Sequence, residues 1–170
     1  MSDLVSASPE RTRAIGAAVA SFLREGDVVL LVGSLGAGKT TFVKGLVEAL
    51  GGGQGVTSPT FTLAHRYKTV PPVTHVDLWR LERLQEVIDL ALDEELEEGG
   101  AVIVEWGEAA EALYGSAALV VRLSFGVEEG ERLISLEARG ETWQPRAAQL
   151  TDMVTEQLAA RVTPETARRR

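Results

Sequence analysis

The feature that most constrains this chain is a glycine-rich segment that lies between an apolar run and an amphipathic pattern. Residues 33–40 read Gly-Ser-Leu-Gly-Ala-Gly-Lys-Thr and fit the phosphate-binding P-loop pattern. Residues 28–32, just before the segment, form the continuous apolar run that is typical of a buried parallel strand. After it, apolar residues at 43, 46, 47 and 50 recur at helical spacing. This order of strand, loop and helix predicts a site for a nucleoside triphosphate.

Each residue type in the loop has a physical task. Glycines let successive backbone N–H groups turn towards anionic oxygens, and the helix N-terminus adds partial positive charge. In this pattern Lys39 reaches the β- and γ-phosphates and the Thr40 hydroxyl binds Mg²⁺. The alternative is a glycine-rich turn without a ligand. We predict that the nucleotide-binding residues here are Gly33, Ser34, Leu35, Gly36, Ala37, Gly38, Lys39, Thr40 and Thr41.

The rest of the chain predicts strands interleaved with helices. Hydrophobic periodicity and capping residues indicate helices that start at Ser8-Pro9-Glu10 and that cover residues 78–98, 109–114 and 145–161. Strands are indicated at 60–67, 73–76, 101–104, 120–125 and 133–138. We therefore expect an α/β, single-domain P-loop NTPase, with a mostly parallel sheet, helices on both faces and antiparallel hairpin strands. This domain covers residues 1–162, and we expect residues 163–170 to be a disordered tail.

Composition narrows the compartment and the partners. The chain has no Cys, which excludes disulfides, zinc–thiolate sites and thiol nucleophiles. It shows no signal peptide and no apolar run of membrane length, so we expect a cytoplasmic protein without a membrane partner. A net charge of −8 argues against a direct grip on a nucleic-acid backbone. Since the chain has no Asn, the Asn-Lys-x-Asp motif that reads guanine is excluded, which favours ATP.

Two acidic residues follow predicted strands and are candidates for a carboxylate near the metal. Glu105 follows residues 101–104, and Asp77 follows residues 73–76. The carboxyl ends of parallel strands meet at one edge of a sheet, where a P-loop site needs such a group. We predict Glu105 as a metal ligand together with Thr40. For Asp77 the alternative is a helix N-cap ahead of Leu78.

Residues 58–61, hereafter the switch segment, have the composition of a loop that senses a phosphate. Ser58, Pro59, Thr60 and Phe61 place hydroxyls on a proline-stiffened turn after a run of glycines. Such a turn suits a segment that detects the γ-phosphate or positions water, and the alternative is an ordinary turn that starts a strand.

The two histidines, His65 and His75, lie in strand-like stretches and lack a third metal ligand at a suitable spacing. We interpret both as packing or surface residues rather than as metal ligands.

Four motifs, in this order and with these spacings, resemble the TsaE (YjeE) family of bacterial ATPases. They lie at residues 36–41, 57–61, 75–78 and 104–106. The resemblance implies a mostly parallel sheet and a role in the threonylcarbamoylation of adenosine 37 (t6A) in tRNAs that read codons beginning with A. It also implies Mg²⁺-dependent ATP hydrolysis with TsaB and TsaD as partners. Because no arginine stands at an obvious finger position near the P-loop, we expect the isolated protein to hydrolyse ATP slowly, and because the net charge is −8, we expect tRNA to be met only through that complex.

The resemblance also implies roles for individual residues. Lys39 matches the lysine that binds phosphate, and Thr40 and Glu105 match the magnesium ligands. Asp77 and Trp106 match positions that the family needs for activity, with Asp77 as organiser of the attacking water.

Two further positions match the family near the nucleotide, and one departs from its pattern. Arg132 resembles an arginine close to the nucleotide, and Thr12 resembles a threonine on the adenine side. Ser34 stands where an acidic residue is usual.

Two other functions stay open at this point. A small-molecule P-loop kinase would share the loop, although Arg80 and Arg83 lie on a helical stripe rather than in an arginine-bearing lid. A nucleotide-dependent binding switch, in which hydrolysis is incidental, would also share it.

Overall fold

A single sheet of seven strands forms the centre of the computed structural model, which describes residues 4–53, 55–81 and 83–160. The strands are β1 Leu4–Ser6, β2 Val28–Val32, β3 Ala64–Tyr67, β4 Val73–Asp77, β5 Ala101–Glu105, β6 Ala118–Phe125 and β7 Arg132–Ala138. The α-helices are α1 Pro9–Ala20, α2 Lys39–Ala49, α3 Leu84–Ile88, α4 Leu92–Glu97, α5 Glu111–Tyr114, α6 Gly140–Trp143 and α7 Ala147–Ala160. The predicted tail at 163–170 lies outside the described residues.

The sheet is mixed, with parallel strands at its centre. Its strand order is β1-β7-β6-β2-β5-β4-β3. The three pairings β6/β2, β2/β5 and β5/β4 are parallel, whereas β1/β7, β7/β6 and β4/β3 are antiparallel. Only three of the six pairings are parallel, so the expectation of a mostly parallel sheet is wrong. The two predicted hairpins, β3–β4 and β6–β7, are confirmed.

Helices cover both faces of the sheet, as expected. Side chains alternate along β2, so that Val29 and Leu31 join one hydrophobic cluster while Val28 and Leu30 join the other. Helices α1, α2 and α7 contribute to the first cluster, and α3 and α4 contribute to the second. The two layers hold β2 rigidly, and β2 leads directly into the P-loop.

Helices α1 and α2 approach so closely that two glycines are required at their contact. A Cβ atom on Gly16 would lie 2.2 Å from the carbonyl oxygen of Phe42. A Cβ atom on Gly45 would lie 2.0 Å from the carbonyl oxygen of Arg13. The contact fixes α2 against α1, and the N-terminus of α2 is the end of the P-loop.

A buried ion pair joins the start of β2 to the segment that precedes α7. The Arg146 guanidinium donates to both carboxylate oxygens of Asp27, each at 2.7 Å. Arg146 also donates to the carbonyl of Thr142 and stacks 4.1 Å from the centroid of the Trp143 ring. A further bond goes to the carbonyl of Phe22, so the charge of Arg146 is paired and most of its N–H groups have acceptors, as burial of a guanidinium requires.

The predicted helix over residues 78–98 is wrong, because tertiary contacts interrupt it. The Leu78 N–H donates to the carbonyl of Glu105, and the Trp79 N–H donates to the Asp77 carboxylate, so the chain leaves β4 in a turn. Ala91 has a φ of 51°, which separates α3 from α4.

The first strand of the β3–β4 hairpin starts later than predicted, and a further strand was not predicted at all. Residues 59–63 form a turn in which Leu63 has a φ of 64°, so β3 begins at Ala64 rather than at Thr60. Strand β1 is only three residues long and pairs antiparallel with β7.

Within the described ranges, no helix combines the length and the apolar character that crossing a membrane requires.

Candidate functional site

A cleft of about 320 Å³ opens at the carboxyl ends of β2, β4 and β5, where the loops of a parallel sheet converge. The P-loop and the start of α2 form one wall, the switch segment forms another, and the ends of β4 and β5 form the floor. The lining residues are Leu35, Gly36, Gly38, Lys39, Thr40, Thr41, Ser58, Thr60, Asp77, Trp79, Glu105 and Trp106.

The P-loop has the backbone that its glycines predict. Gly33, Gly36 and Gly38 have φ values of 152°, 77° and 104°, a region that side chains strongly disfavour. At Gly33 a Cβ atom would also lie 2.2 Å from the carbonyl oxygen of Leu123. Gly38 precedes Lys39, the first residue of α2, so the positive end of that helix faces the cleft.

Lys39 is held within the loop. Its Nζ donates to the carbonyl oxygens of Gly33 at 2.6 Å and Ser34 at 2.9 Å, and it lies 3.6 Å from the centroid of the Trp106 ring. Burial lowers the pKa of the Lys39 ammonium, while the charges of Glu105, Glu108 and Asp77 oppose this shift. Partial desolvation strengthens the attraction of this cation for an anionic ligand.

Thr40 and Glu105 meet across the cleft, as expected for a pair of metal ligands. The Thr40 hydroxyl lies 2.9 Å from each carboxylate oxygen of Glu105, so the two oxygens share its single proton. Hydroxyl and carboxylate oxygens are the donors that Mg²⁺ prefers. In the part of the chain that the structure describes, no group of three or more His, Cys, Asp or Glu side chains forms a metal site. The Thr40–Glu105 pair places three oxygen atoms close together at the cleft.

Asp77 connects the floor of the cleft to the switch segment. The hydroxyls of Ser58 and Thr60 both donate to Asp77 Oδ2, the second at 2.8 Å, and the Trp79 N–H donates to Oδ1 at 2.9 Å. The alternative of a helix N-cap is wrong, because no helix begins at Leu78 and the bond from the Trp79 N–H stabilises a turn instead. Asp77 thus fixes the turn after β4 and lines the cleft at the same time.

The other two residues of the switch segment do not face the cleft. Pro59 is buried away from the cleft lining, and Phe61 is exposed, with the Arg80 guanidinium 4.9 Å from the centroid of its ring. Of this segment, Ser58 and Thr60 line the cleft, whereas Pro59 and Phe61 do not.

Thr12 and Arg132 lie on the far side of the P-loop, around a small cavity of about 80 Å³. Arg132 donates to the carbonyl of Gly36 at 3.1 Å. The Thr12 hydroxyl lies 2.8 Å from the hydroxyl of Ser6. Both predicted residues are therefore next to the loop but outside the main cleft.

Three residues at the site were not predicted. His75 Nε2 lies 2.9 Å from Glu105 Oε1 in the interior. Glu108 accepts a hydrogen bond from the Gly33 N–H at 3.1 Å, and the ring centroid of Trp79 lies 4.3 Å from that of Trp106. Glu108 and Trp79 are each close in sequence to a predicted site residue, and His75 lies within the motif at 75–78, so nearness to these motifs was the available signal.

Comparison with known proteins gives one consistent family. Residues 6–134 match the family model described as threonylcarbamoyl adenosine biosynthesis protein TsaE. The chain is 39% identical over 145 residues to the tRNA threonylcarbamoyladenosine biosynthesis protein TsaE of Bacillus subtilis, which covers 85% of this chain and 90% of that protein. It is 40% identical over 138 residues to the protein of the same name from Streptomyces coelicolor, which covers 77% of this chain and 93% of the relative.

A solved structure supports the same relationship. The crystal structure of YdiB from Bacillus subtilis superimposes with a TM-score of 0.72 at 32% sequence identity, and the alignment covers 91% of this chain and 93% of YdiB. The four motifs that carry the resemblance all lie within the residues matched by the family model.

Proposed function

The chain belongs to the TsaE family, and from this premise we propose that it is the Mg²⁺-dependent ATPase subunit that serves t6A formation at position 37 of tRNAs reading codons that begin with A. Its fold is that of a P-loop NTPase. The observation that carries the proposal is the Thr40–Glu105 pair, which lies beside Lys39 in the cleft.

The residues of the cleft fit ATP and Mg²⁺. Thr40 and Glu105 hold the ion through hard oxygen atoms, and Mg²⁺ when bound offsets the negative charge of the phosphates. Lys39 and the amides of the loop residues that line the cleft, within 35–41, bind the phosphate oxygens and stabilise the charge that develops on them. Thr12 and Arg132 contact the nucleotide on the far side of the loop.

Asp77 and Trp106 complete the hydrolytic site. Asp77 orients the attacking water through a carboxylate that Ser58, Thr60 and the Trp79 N–H already hold in place. Trp106 packs against the Lys39 ammonium and keeps water away from it. The switch segment reports whether the γ-phosphate is present through its two hydroxyls on Asp77.

We propose that TsaB and TsaD are the partners and that the isolated chain hydrolyses ATP slowly. Among the described residues that line the cleft there is no arginine, and P-loop enzymes gain large rate factors from an arginine finger. A partner can supply that charge or close the cleft. The net charge of −8 also fits a protein partner better than direct contact with tRNA, so the chain contacts tRNA only through the complex. We place this complex in the cytoplasm.

The test is ATP hydrolysis by the purified chain, alone and with TsaB and TsaD, in Mg²⁺ and then in EDTA. We expect slow turnover alone, stimulation by the partners and loss of activity in EDTA. Glu105→Gln should abolish hydrolysis, whereas Glu48→Gln, on an exposed turn of α2, should not. Full turnover without partners, or turnover in EDTA, would contradict the proposal.

The same reaction mixtures separate the two alternatives. Phosphorus NMR of the products would show phosphate transfer to a metabolite if the chain were a small-molecule kinase. A Glu105→Ala variant that supports t6A formation without hydrolysis would instead indicate a nucleotide-dependent binding switch.

A further inference from the structure

We propose that His75 is a positioning residue that orients the Glu105 carboxylate for Mg²⁺ and so sets the affinity of the site for the ion. The inference rests on the proposed function, because it takes Glu105 as the magnesium ligand. Residues that hydrogen-bond a metal-binding carboxylate from behind fix its orientation and tune the metal that it holds.

The sheet register places the two side chains together. Strands β4 and β5 are parallel neighbours, with His75 opposite Ile103 and Asp77 opposite Glu105. The His75 ring is fully buried, and its Nε2 lies 2.9 Å from Glu105 Oε1. The contact therefore joins a side chain of the sheet interior to one that lines the cleft.

The chemistry of the contact determines which of the two side chains donates the hydrogen bond. An ionised carboxylate can only accept hydrogen bonds, so Nε2 carries the hydrogen and donates it to Glu105. The Thr40 hydroxyl has a single proton, which both oxygens of Glu105 share. His75 is thus the donor that distinguishes Oε1 from Oε2 and fixes the rotation of the carboxylate.

The other ring nitrogen and the surroundings agree with this role. No group of the described residues lies within hydrogen-bonding distance of His75 Nδ1, so Nε2 is the ring atom with a polar partner there. The Tyr67 ring stacks on the imidazole, with 6.3 Å between centroids. His75 is absent from the cleft lining, which argues against direct metal ligation and for action through Glu105.

The experiment measures Mg²⁺ dependence of nucleotide binding rather than activity. Calorimetry with a non-hydrolysable ATP analogue gives the affinity in EDTA and over a Mg²⁺ titration for each variant. Gln places its amide nitrogen near the position of Nε2, whereas Asn reaches only as far as Nδ1, and Leu has no donor. We expect His75→Asn and His75→Leu to raise the Mg²⁺ concentration required by about 10- to 100-fold. Their affinity in EDTA should stay unchanged, and His75→Gln should stay close to the wild type.

His65→Gln is the matched control, because His65 lies directly opposite His75 in the β3–β4 register and is exposed. If His75→Asn and His75→Gln have the same Mg²⁺ requirement as the wild type while Glu105→Gln loses its Mg²⁺ dependence, the inference is overturned and the proposed function stands. If the wild type and Glu105→Gln bind the analogue equally with and without Mg²⁺, the proposed metal site itself fails. Circular dichroism without Mg²⁺ identifies any variant that does not fold. If His75→Leu does not fold, the difference in Mg²⁺ requirement between His75→Gln and His75→Asn tests the inference.

Discussion

The roles of single residues in the cleft follow from what each carboxylate contacts. Glu105 faces Thr40 and His75, whereas Asp77 faces the two hydroxyls of the switch segment and a backbone N–H. In the proposed function, Glu105 holds the Mg²⁺ ion, and Asp77 is linked to the position of the switch segment. Substitution of Glu105 and substitution of Asp77 by their amides should therefore impair different steps of the proposed reaction.

Asp77→Asn should separate binding from turnover. The amide keeps the shape of the carboxylate but cannot accept a proton, so we expect turnover to fall about 100-fold. The affinity for a non-hydrolysable analogue should stay within about twofold of the wild type, because Asp77 is not a phosphate ligand in this assignment. Steady-state kinetics and calorimetry check the two quantities.

Asp89→Asn is the matched control for this change, since Asp89 is an exposed carboxylate at the end of α3 and contacts Gln85. It should leave both quantities unchanged. Equal losses of binding in Asp77→Asn and in Lys39→Ala would contradict the separate roles assigned to these residues.

Prediction at the residue scale succeeded where a motif or the end of a strand identified the residue. Lys39, Thr40, Asp77, Glu105 and Trp106 all line the cleft, as the sequence indicated. Their chemical roles stay predictions until they are tested. The contact of His75 could not be predicted, because it depends on which strand lies beside β4 and on the register between them.

At the scale of elements, the α1–α2 contact is the most demanding packing in the described chain that surrounds the P-loop. Gly45→Ala forces a methyl group against the backbone of Arg13, a group that cannot rotate away. We expect the free energy of unfolding to fall by about 3 kcal/mol or more, since overpacking against backbone must move a whole helix. Urea denaturation followed by circular dichroism measures it.

Ala49→Ser, on an exposed position of the last turn of α2, should lower the free energy of unfolding by less than about 1 kcal/mol. A Gly45→Ala variant as stable as this control would show that the helices separate at little cost.

Helices α4 and α5 are linked by a tyrosine that titrates at high pH. Burial, followed by the hydrogen bond to Asp93 and the charge of that carboxylate, raises the pKa of Tyr114 from 10.0 to about 12. The folded state thus keeps a proton that the unfolded chain loses first. The stabilisation is present below pH 10, and it is lost as the pH rises through 10 towards 12.

Tyr114→Phe should therefore be less stable than the wild type by about 1 kcal/mol at pH 8, because the hydrogen bond is lost. That difference should shrink from pH 10 upwards, where Tyr114 ionises in the unfolded wild type but keeps its proton in the folded state, and it should reverse in sign as the pH approaches 12. Urea titrations of both proteins across this range provide the measurement. A difference that stays constant with pH would exclude the assigned titration.

The elements that the sequence predicted well are those that a local pattern determines. Residues 28–32 and 101–104 are uninterrupted apolar runs that lead into the site, and a strand buried on both faces needs no other information. The long helix over 78–98 failed because the Leu78 N–H pairs with the carbonyl of Glu105, a contact between distant residues. Strand β1 is too short to produce a pattern of its own.

At the scale of the whole molecule, the buried Asp27–Arg146 pair connects the first strand of the parallel core to the C-terminal part of the described chain. It lies at the amino end of β2, whereas the cleft lies at the carboxyl end of the same strand. The buried ion pair and the cleft therefore lie at opposite ends of the same strand.

Asp27→Asn should lower the free energy of unfolding by about 3–5 kcal/mol, because it leaves the Arg146 guanidinium buried without its counter-ion. Asp27→Asn combined with Arg146→Met should recover part of this loss, since no unpaired charge remains. Urea denaturation of the two single variants and the double variant gives the coupling energy. Additive losses in the double variant would mean that the two groups do not depend on each other.

The placement of the three tryptophans has a consequence for how this protein can be observed. Trp79 and Trp106 are in contact at the cleft, with their ring planes tilted by 47°, and Trp106 also contacts the Lys39 ammonium, whereas Trp143 is fully buried beside Arg146. Two of the three indoles thus form a native optical probe, and the third gives a constant background. Intrinsic fluorescence should follow the arrival of a nucleotide without any label, and a Trp143→Phe variant would leave an emission spectrum that comes from the cleft alone.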